Sequence, residues 1–115
     1  MNLSNPVLIC NENEEFRILI RDILTKNGFF HIMEASSEIE ARVYLEDKRN
    51  FFVILNSKLF TREMFDLLKK QKNYLVFVNN AERDTVTITS KIGLKKILSY
   101  PIYSRKIMKK IGSFV

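Results

Sequence analysis

Five residues that directly follow short apolar runs are the candidates for chemistry in this chain: Asn11, Glu12, Asn56, Asn79 and Tyr100. If the runs are parallel strands, these residues meet at one edge of a sheet, where open α/β sheets bind ligands. Amides, one carboxylate and one phenol can hydrogen-bond a ligand there. They include no nucleophile paired with a base, so we expect no enzyme and no catalytic residue.

The sequence does not show the residue patterns that other common kinds of binding site require. The chain has only three glycines, and the turn after the first apolar run reads Asn11-Glu12-Asn13-Glu14, so a glycine-rich phosphate loop for a nucleotide or flavin is not expected. The single cysteine, Cys10, follows apolar residues and suits a core position. The single histidine, His31, is predicted on the second strand without a partner at motif spacing. We therefore expect no cofactor and no metal site.

Apolar runs alternate with helix-length amphipathic segments along the whole chain. Strands are predicted at 6–10, 29–35, 51–55, 74–78 and 94–99, and helices at 16–24, from 37, from 61, at 82–92 and at 103–111. The first helix repeats apolar residues at the spacing of one buried face, which predicts an inward stripe of Phe16, Leu19, Ile20, Ile23 and Leu24.

Capping signals mark several helix ends. Asn27 and Gly28 both tolerate the left-handed conformation that ends a helix. The segment 37–40 is a capping box that begins the second helix, and Thr61 can cap the third. Gly93 closes the fourth. These signals agree with the periodicity and separate each helix from the strand that follows it.

The alternation predicts one α/β domain spanning 1–115, a doubly wound five-stranded parallel sheet with five helices. The run at 51–55 is apolar on both faces, as in a central strand of a covered sheet. The segment 85–89 conflicts with its assignment, because its β-branched residues favour a strand. We still predict a helix there, because the fold needs a crossover.

The net charge of +6 is unevenly distributed, because no acidic residue follows Asp84. Two interpretations remain: a solvated basic surface, or a surface that attracts acidic proteins or nucleic acid. The apolar runs are far too short to cross a membrane, no secretory signal is recognisable, and one cysteine fits a reducing compartment. A cytoplasmic protein without a membrane partner is expected.

Three blocks of the sequence resemble the response-regulator receiver (CheY-like) family. VLICNENEEFRILIRDIL is similar to the family's first strand, acidic pair and first helix, VILNSKLFTREMFDLLKK to its third strand, acceptor loop and third helix, and GLKKILSYPI to its closing strand. The order and spacing match over essentially the whole chain. The resemblance implies a flavodoxin-like receiver fold, a cis bond before Pro101, and a role in bacterial two-component or phosphorelay signalling.

The resemblance also implies that the phosphorylation pocket is degenerate. The phosphoacceptor aspartate falls on Asn56, the magnesium-binding acidic pair on Asn11 and Glu12, the switch hydroxyl residue on Asn79, and the lysine before proline on Tyr100. An amide is not a nucleophile, and one carboxylate among amides is a poor magnesium site. A lysine in place of Tyr100 would be a buried charge with too few acidic partners, and the neutral phenol avoids that cost. The Tyr100 ring is also expected to plug the pocket beside Asn56. Alternatively, the Asn residues simply cap strand ends and turns.

We therefore predict a pseudo-receiver that acts independently of phosphorylation as an interaction or dimerisation module, for example as the input domain of a transcription regulator. The family's interaction face, formed by the fourth helix, fifth strand and fifth helix, carries the basic excess. Of its predicted partner-binding residues, Lys95, Lys96 and Lys106 should be solvent-exposed. The full set is Lys91, Lys95, Lys96, Ile97, Tyr103, Lys106 and Lys110. The partner is expected to be another protein or a second copy.

Two alternative functions stay open at this point. The domain could be a working receiver with an unusual acceptor, for which Ser57 and Asp66 are the nearby candidates. It could also bind nucleic acid through its basic tail. That second alternative is disfavoured, because the fold offers no recognition helix and few aromatic residues accompany the basic ones.

Overall fold

The computed structural model describes residues 5–47, 50–71, 73–79 and 84–113, and for 84–86 the backbone alone. Its strands are β1 (Val7–Cys10), β2 (Ile32–Ala35), β3 (Phe52–Asn56), β4 (Asn73–Val78) and β5 (Ile97–Ser99). Its helices are α1 (Glu14–Lys26), α2 (Glu38–Glu46), α3 (Arg62–Leu68), α4 (Asp84–Ile92) and α5 (Ser104–Gly112). Short 3₁₀ turns cover Ser57–Leu59 and Leu94–Lys96.

The five strands form one parallel sheet in the order β2-β1-β3-β4-β5. This is the doubly wound architecture predicted from the sequence. Every residue of β3 is buried, as its run of apolar residues on both faces required. The central position of β1 and β3 brings the ends of both strands to the middle of the carboxyl edge.

Alternate residues of each strand supply two separate cores. On one face, the inward side chains of the sheet pack against α1 and α5 through Ile20, Leu24, Ile107 and Ile111. On the other face, the sheet packs against α2, α3 and α4. Because both faces are covered, the strands contain few outward polar residues until they reach their ends.

Helix α4 shows tertiary packing overriding local propensity. Its β-branched sequence favours a strand, yet 84–92 is helical, as the need for a crossover predicted. Ile88 is buried against the sheet and anchors this helix. The predicted start at Glu82 lies outside the described residues. Gly93, with φ of 83°, ends the helix as expected.

Three boundaries or faces differ from the sequence predictions. Strand β2 begins at Ile32, because the Phe29 backbone N–H still bonds to the Leu24 carbonyl at 3.0 Å and closes α1. His31 therefore precedes the strand and does not lie on it. Of the two residues that were predicted to end α1, Gly28 has a positive φ, of 93°, and Asn27 does not. Leu19 is 45% exposed, at the margin of the buried stripe of α1.

Helix caps and the last strand complete the comparison. The side chains of Ser37 and Thr61 accept the N–H groups of Glu40 and Met64, so both predicted N-caps are confirmed. Strand β5 is shorter than predicted, because the first residues of the run form the 3₁₀ turn at Leu94–Lys96.

Candidate functional site

A pocket of about 260 Å³ opens at the carboxyl end of the sheet. All five residues selected from the sequence line it, together with three others. The lining residues are Asn11, Glu12, Asn13, Phe16, Asn56, Lys58, Asn79 and Tyr100. The strand-end rule therefore selected residues that share one pocket, and it missed only residues of the loops and helix that begin there. Asn13 and Phe16 could have been found from the helix signal that starts directly after β1.

Asn56 is the centre of a hydrogen-bonded chain across the pocket. Its side-chain Nδ2 donates to Glu12 Oε1 at 2.7 Å, and its Oδ1 accepts a bond from the Tyr100 hydroxyl at 3.3 Å. Asn56 is only 7% exposed, so this pairing satisfies a buried amide at both its donor and its acceptor ends. A carboxylate in this position could not donate to Glu12.

Asn11 has a local structural role. Its Oδ1 accepts the Asn13 backbone N–H at 2.8 Å, which turns the chain from β1 into α1. Its backbone carbonyl accepts a bond of 2.7 Å from Arg17 Nη1. Asn11 thus makes the turn contact that the capping interpretation describes, and it also lines the pocket. Asn56 differs, because its side-chain partners come from distant parts of the chain.

Tyr100 lines the pocket from the end of β5. Its ring centroid lies 5.6 Å from that of Phe16 and 5.9 Å from that of Phe77, and its hydroxyl reaches Asn56. The ring is thus directed toward the strand ends, as the plug prediction required. The Tyr100-Pro101 bond is cis, as the resemblance implied.

The charges of the pocket are sparse. Glu12 is the one acidic residue and Lys58 the one basic residue of its described lining, and both are exposed. Asn79 is also exposed at the rim. Within the described ranges, no three His, Cys, Asp or Glu side chains come together as metal ligands. The pocket can form hydrogen bonds, and Glu12 with the amide oxygens of Asn11 and Asn56 would hold magnesium poorly.

Cys10, one residue before the pocket, is fully buried in the sheet. Burial raises the pKa of its thiol, so the sulfur stays protonated at neutral pH and is a weak nucleophile. It is a core residue, as expected from its apolar neighbours. His31 is exposed on the surface.

The pocket bond of Tyr100 can be tested by Tyr100→Phe. The substitution removes the hydroxyl and keeps the ring between Phe16 and Phe77, so unfolding free energy should fall by about 0.5–1.5 kcal/mol. Urea denaturation measures the change. Tyr103→Phe is the matched control, because Tyr103 is 61% exposed and should show no loss. If Tyr100→Phe lowers unfolding free energy as much as Tyr100→Ala does, the hydroxyl and not the ring provides the stabilising contribution of Tyr100.

The predicted interaction face lies on α4, β5 and α5, and its lysines differ in exposure. Lys95 is exposed as predicted, and so is the neighbouring Lys91, whereas Lys96 and Lys106 are half-buried, contrary to the prediction. The Lys96 ammonium lies 4.0 Å from the centroid of the Tyr74 ring. Its pKa is lowered, first because burial disfavours the charge and second because Lys95 is nearby.

Two further lysines of this face bind backbone carbonyls. Lys106 Nζ donates to the carbonyls of Ser99 at 2.6 Å and Pro101 at 3.3 Å. Lys110 Nζ donates to the Leu94 carbonyl at 3.0 Å. These bonds hold the Lys106 ammonium at the end of β5 and the Lys110 ammonium at the 3₁₀ turn that precedes β5.

Comparison with known proteins identifies the class of fold. No family model matches the sequence, and no curated protein matches it. Among solved structures, the chemotaxis response regulator CheY4 of Vibrio cholerae aligns with a TM-score of 0.76 and 16% identity, over 97% of this chain and 99% of that one. A CheY-like receiver domain protein from Methanospirillum hungatei aligns with a TM-score of 0.72 and 18% identity, over 98% and 94%.

A third similar structure is the adenylate cyclase from Rhodopirellula baltica, with a TM-score of 0.73 and 15% identity, over 96% of this chain and 87% of that chain. Sequence identities this low show a similarity of fold alone. The chain has the flavodoxin-like fold of receiver domains, with a five-stranded parallel sheet and five helices. No helix in the described part of the chain is long and apolar enough to cross a membrane.

Proposed function

We propose that this chain is a receiver-type signalling domain that does not accept a phosphoryl group and acts through protein contacts. The observation that carries the proposal is the Asn56 amide, which bridges the Glu12 carboxylate and the Tyr100 hydroxyl at the end of β3. The receiver resemblance assigns the phosphoacceptor to this position. In this proposal the domain works in the bacterial cytoplasm, alone or as the input domain of a transcription regulator.

The chemistry of the pocket supports this inactive state. Formation of an acyl phosphate requires a carboxylate nucleophile, and the Asn56 amide nitrogen and oxygen are already hydrogen-bonded. Magnesium would find one carboxylate, Glu12, and amide oxygens at the remaining positions. Tyr100 supplies a neutral hydroxyl where the resemblance expects a lysine. The acceptor carboxylate and the lysine that the resemblance expects are absent together, and the neutral Asn56 and Tyr100 side chains in their places are hydrogen-bonded to each other beside Glu12.

An unusual phosphoacceptor has less support. Ser57 is 8% exposed and begins the 3₁₀ turn after β3. Asp66 lies on the outer surface of α3, where it pairs with Lys69 at 3.2 Å. Neither residue lines the pocket in which a metal and a phosphodonor would have to meet.

Protein contact is the proposed output, and the face formed by α4, β5 and α5 is its proposed surface. Lys91, Lys95 and Tyr103 are exposed there, and Ile97 of β5 is half-buried. Lysines around partly apolar positions suit a protein partner or a second copy. Nucleic acid is the weaker candidate, because Tyr103 is a lone exposed aromatic among the described residues of this face.

The first test is phosphorylation itself. We expect incubation with magnesium and acetyl phosphate to leave the mass of the protein unchanged, because Asn56 cannot form an acyl phosphate. Beryllofluoride with magnesium should leave the amide NMR signals of Asn11, Asn56 and Asn79 in place. Asn56→Ala is the control, because a phosphoryl adduct that also forms on this variant must be attached to another residue. An adduct that is lost in Asn56→Ala would overturn the proposed inactivity of the pocket.

A further inference from the structure

The outward side of α2 presents two large apolar residues to solvent. Ile39 is 73% exposed and Val43 is 68% exposed, and their spacing of four residues makes them neighbours on the helix surface. Ala41 and Leu45, on the inward side, already pack the helix against the core. Because β-branched residues also lose rotamer freedom in a helix, neither burial nor helix propensity explains the exposed pair.

Carboxylates accompany this apolar pair. Glu40 and Glu46 are exposed on the same side of α2, and we call the four residues Ile39, Glu40, Val43 and Glu46 the α2 ridge. The Ser36 backbone N–H and hydroxyl donate to Glu40 Oε2 at 2.7 and 3.0 Å. These bonds lower the pKa of the Glu40 carboxyl, so it stays ionised. No basic side chain in the described part of the chain forms an ion pair with Glu46.

The ridge belongs to the acidic part of a basic protein. Residues 1–47 contain nine acidic and four basic residues, although the whole chain has a net charge of +6. The one basic residue of α2, Arg42, is half-buried. Helix α2 packs on β1 and β2, so it lies toward the edge of the sheet opposite β5. The α2 ridge is therefore separate from the face formed by α4, β5 and α5, and its charge has the opposite sign.

We propose that the α2 ridge is a second docking surface, which binds a basic segment of a partner protein that carries a large apolar side chain. Charge complementarity selects this occupant, because lysines or arginines of the segment would pair with Glu40 and Glu46. The apolar side chain would cover Ile39 and Val43 and exclude water from them, as the anchor residues of protein interfaces do. The inference goes beyond the proposed function, whose contacts lie at the opposite edge of the sheet.

Other occupants fit the ridge less well. Nucleic acid and anionic lipid surfaces would meet the carboxylates of Glu40 and Glu46 with charges of the same sign. A symmetric dimer through α2 would bring the same carboxylates of two copies together. A head-to-tail contact with the basic part of a second copy would satisfy the charges, but unless its rotation closed into a ring it would continue into an open chain of copies. A separate basic partner satisfies both the charge and the apolar pair.

A displayed library of random peptides, with a subtraction step, tests this composition at this site. Peptides that bind the intact chain are passed over the double variant Ile39→Ser and Val43→Ser, and those that still bind are discarded. We expect the remaining peptides to contain several Lys or Arg residues around a large apolar residue. A selected peptide should shift the amide NMR signals of Ile39, Val43 and Glu46 in the unaltered chain.

Single substitutions then measure the two parts of the contact. The affinity of the selected peptide should fall by about tenfold with Val43→Ser, because an apolar anchor loses its buried contact. It should fall by about threefold with Glu46→Gln, as for an exposed ion pair, and it should also fall with added salt. Because both residues are exposed, urea denaturation should show unchanged stability for these variants.

Two substitutions elsewhere are the matched controls. Leu94→Ser alters an apolar residue that is 75% exposed near β5, and Glu63→Gln removes an exposed carboxylate from α3. Both should leave peptide affinity unchanged. Equal losses in Glu63→Gln and Glu46→Gln would reduce the effect to diffuse charge and overturn the proposal.

Three further results would also overturn the proposal. They are a subtracted pool that is empty or consists of neutral or acidic peptides, tighter binding of a single-stranded oligonucleotide or of anionic vesicles at the ridge, and self-association of the chain that Val43→Ser abolishes. The phosphorylation tests report on the pocket through Asn11, Asn56 and Asn79, so their outcome is distinguishable from this one.

Discussion

The combined substitution Asn11→Asp, Asn56→Asp and Tyr100→Lys is expected to convert the chain into a phosphoacceptor. Asn56→Asp supplies the carboxylate nucleophile that the amide cannot replace. Asn11→Asp adds a second carboxylate beside Glu12, which magnesium requires, and Tyr100→Lys balances the added negative charge. The receiver fold already places these three positions around one pocket. Mass spectrometry after incubation with acetyl phosphate and magnesium should detect an adduct that is absent from the unaltered chain.

The single substitution Asn56→Asp is the control for this experiment. It should remain unphosphorylated, because magnesium would still find amides or a phenol at the other positions. It should also lower stability, since the Nδ2 bond to Glu12 is replaced by two facing carboxylates. Efficient phosphorylation of Asn56→Asp alone would show that the metal site is intact without Asn11→Asp. If the combined variant is folded by NMR and still forms no adduct, these three positions do not explain why the unaltered chain is not phosphorylated.

The largest loss of stability is expected from Phe77→Ala. Phe77 is fully buried on β4, in the core between the sheet, α1 and α5. Its ring centroid lies 5.4 Å from that of Phe16 in an edge-to-face arrangement, and it also contacts Tyr100. Truncation removes both ring contacts and leaves a cavity beneath the pocket, so unfolding free energy should fall by about 3–5 kcal/mol. Denaturant unfolding measures this loss.

Two variants separate core volume from aromatic contact. Phe77→Leu keeps most of the side-chain volume. Its change of shape should lower unfolding free energy by less than about 1.5 kcal/mol, and the loss of the ring contacts adds to that. Phe30→Ala removes the same ring from a side chain that is 77% exposed, and should change stability by no more than about 0.5 kcal/mol. Similar losses for Phe77→Ala and Phe30→Ala would contradict the assignment of Phe77 to the core.

The sequence by itself determined the order of the elements, the fold class and the position of the candidate site. Apolar periodicity and capping are local properties, so the strand β3 and the caps at Ser37 and Thr61 could be predicted without tertiary information. The site followed because parallel strands end at a common edge. Helix α4 was predicted only because the topology required a crossover, since its own residues favour a strand.

Only the tertiary structure decided which hydrogen-bond partners the pocket residues and the lysines of α5 have. Glu12 and Tyr100 are each 44 residues from Asn56, and no local pattern predicts that one amide bonds to both. The same holds for Lys106 and Lys110, whose ammonium groups bind the carbonyls of Ser99 and Leu94. Hydrogen bonds between distant residues depend on the relative placement of strands and helices to within an ångström, and residue spacing along the chain does not specify that placement.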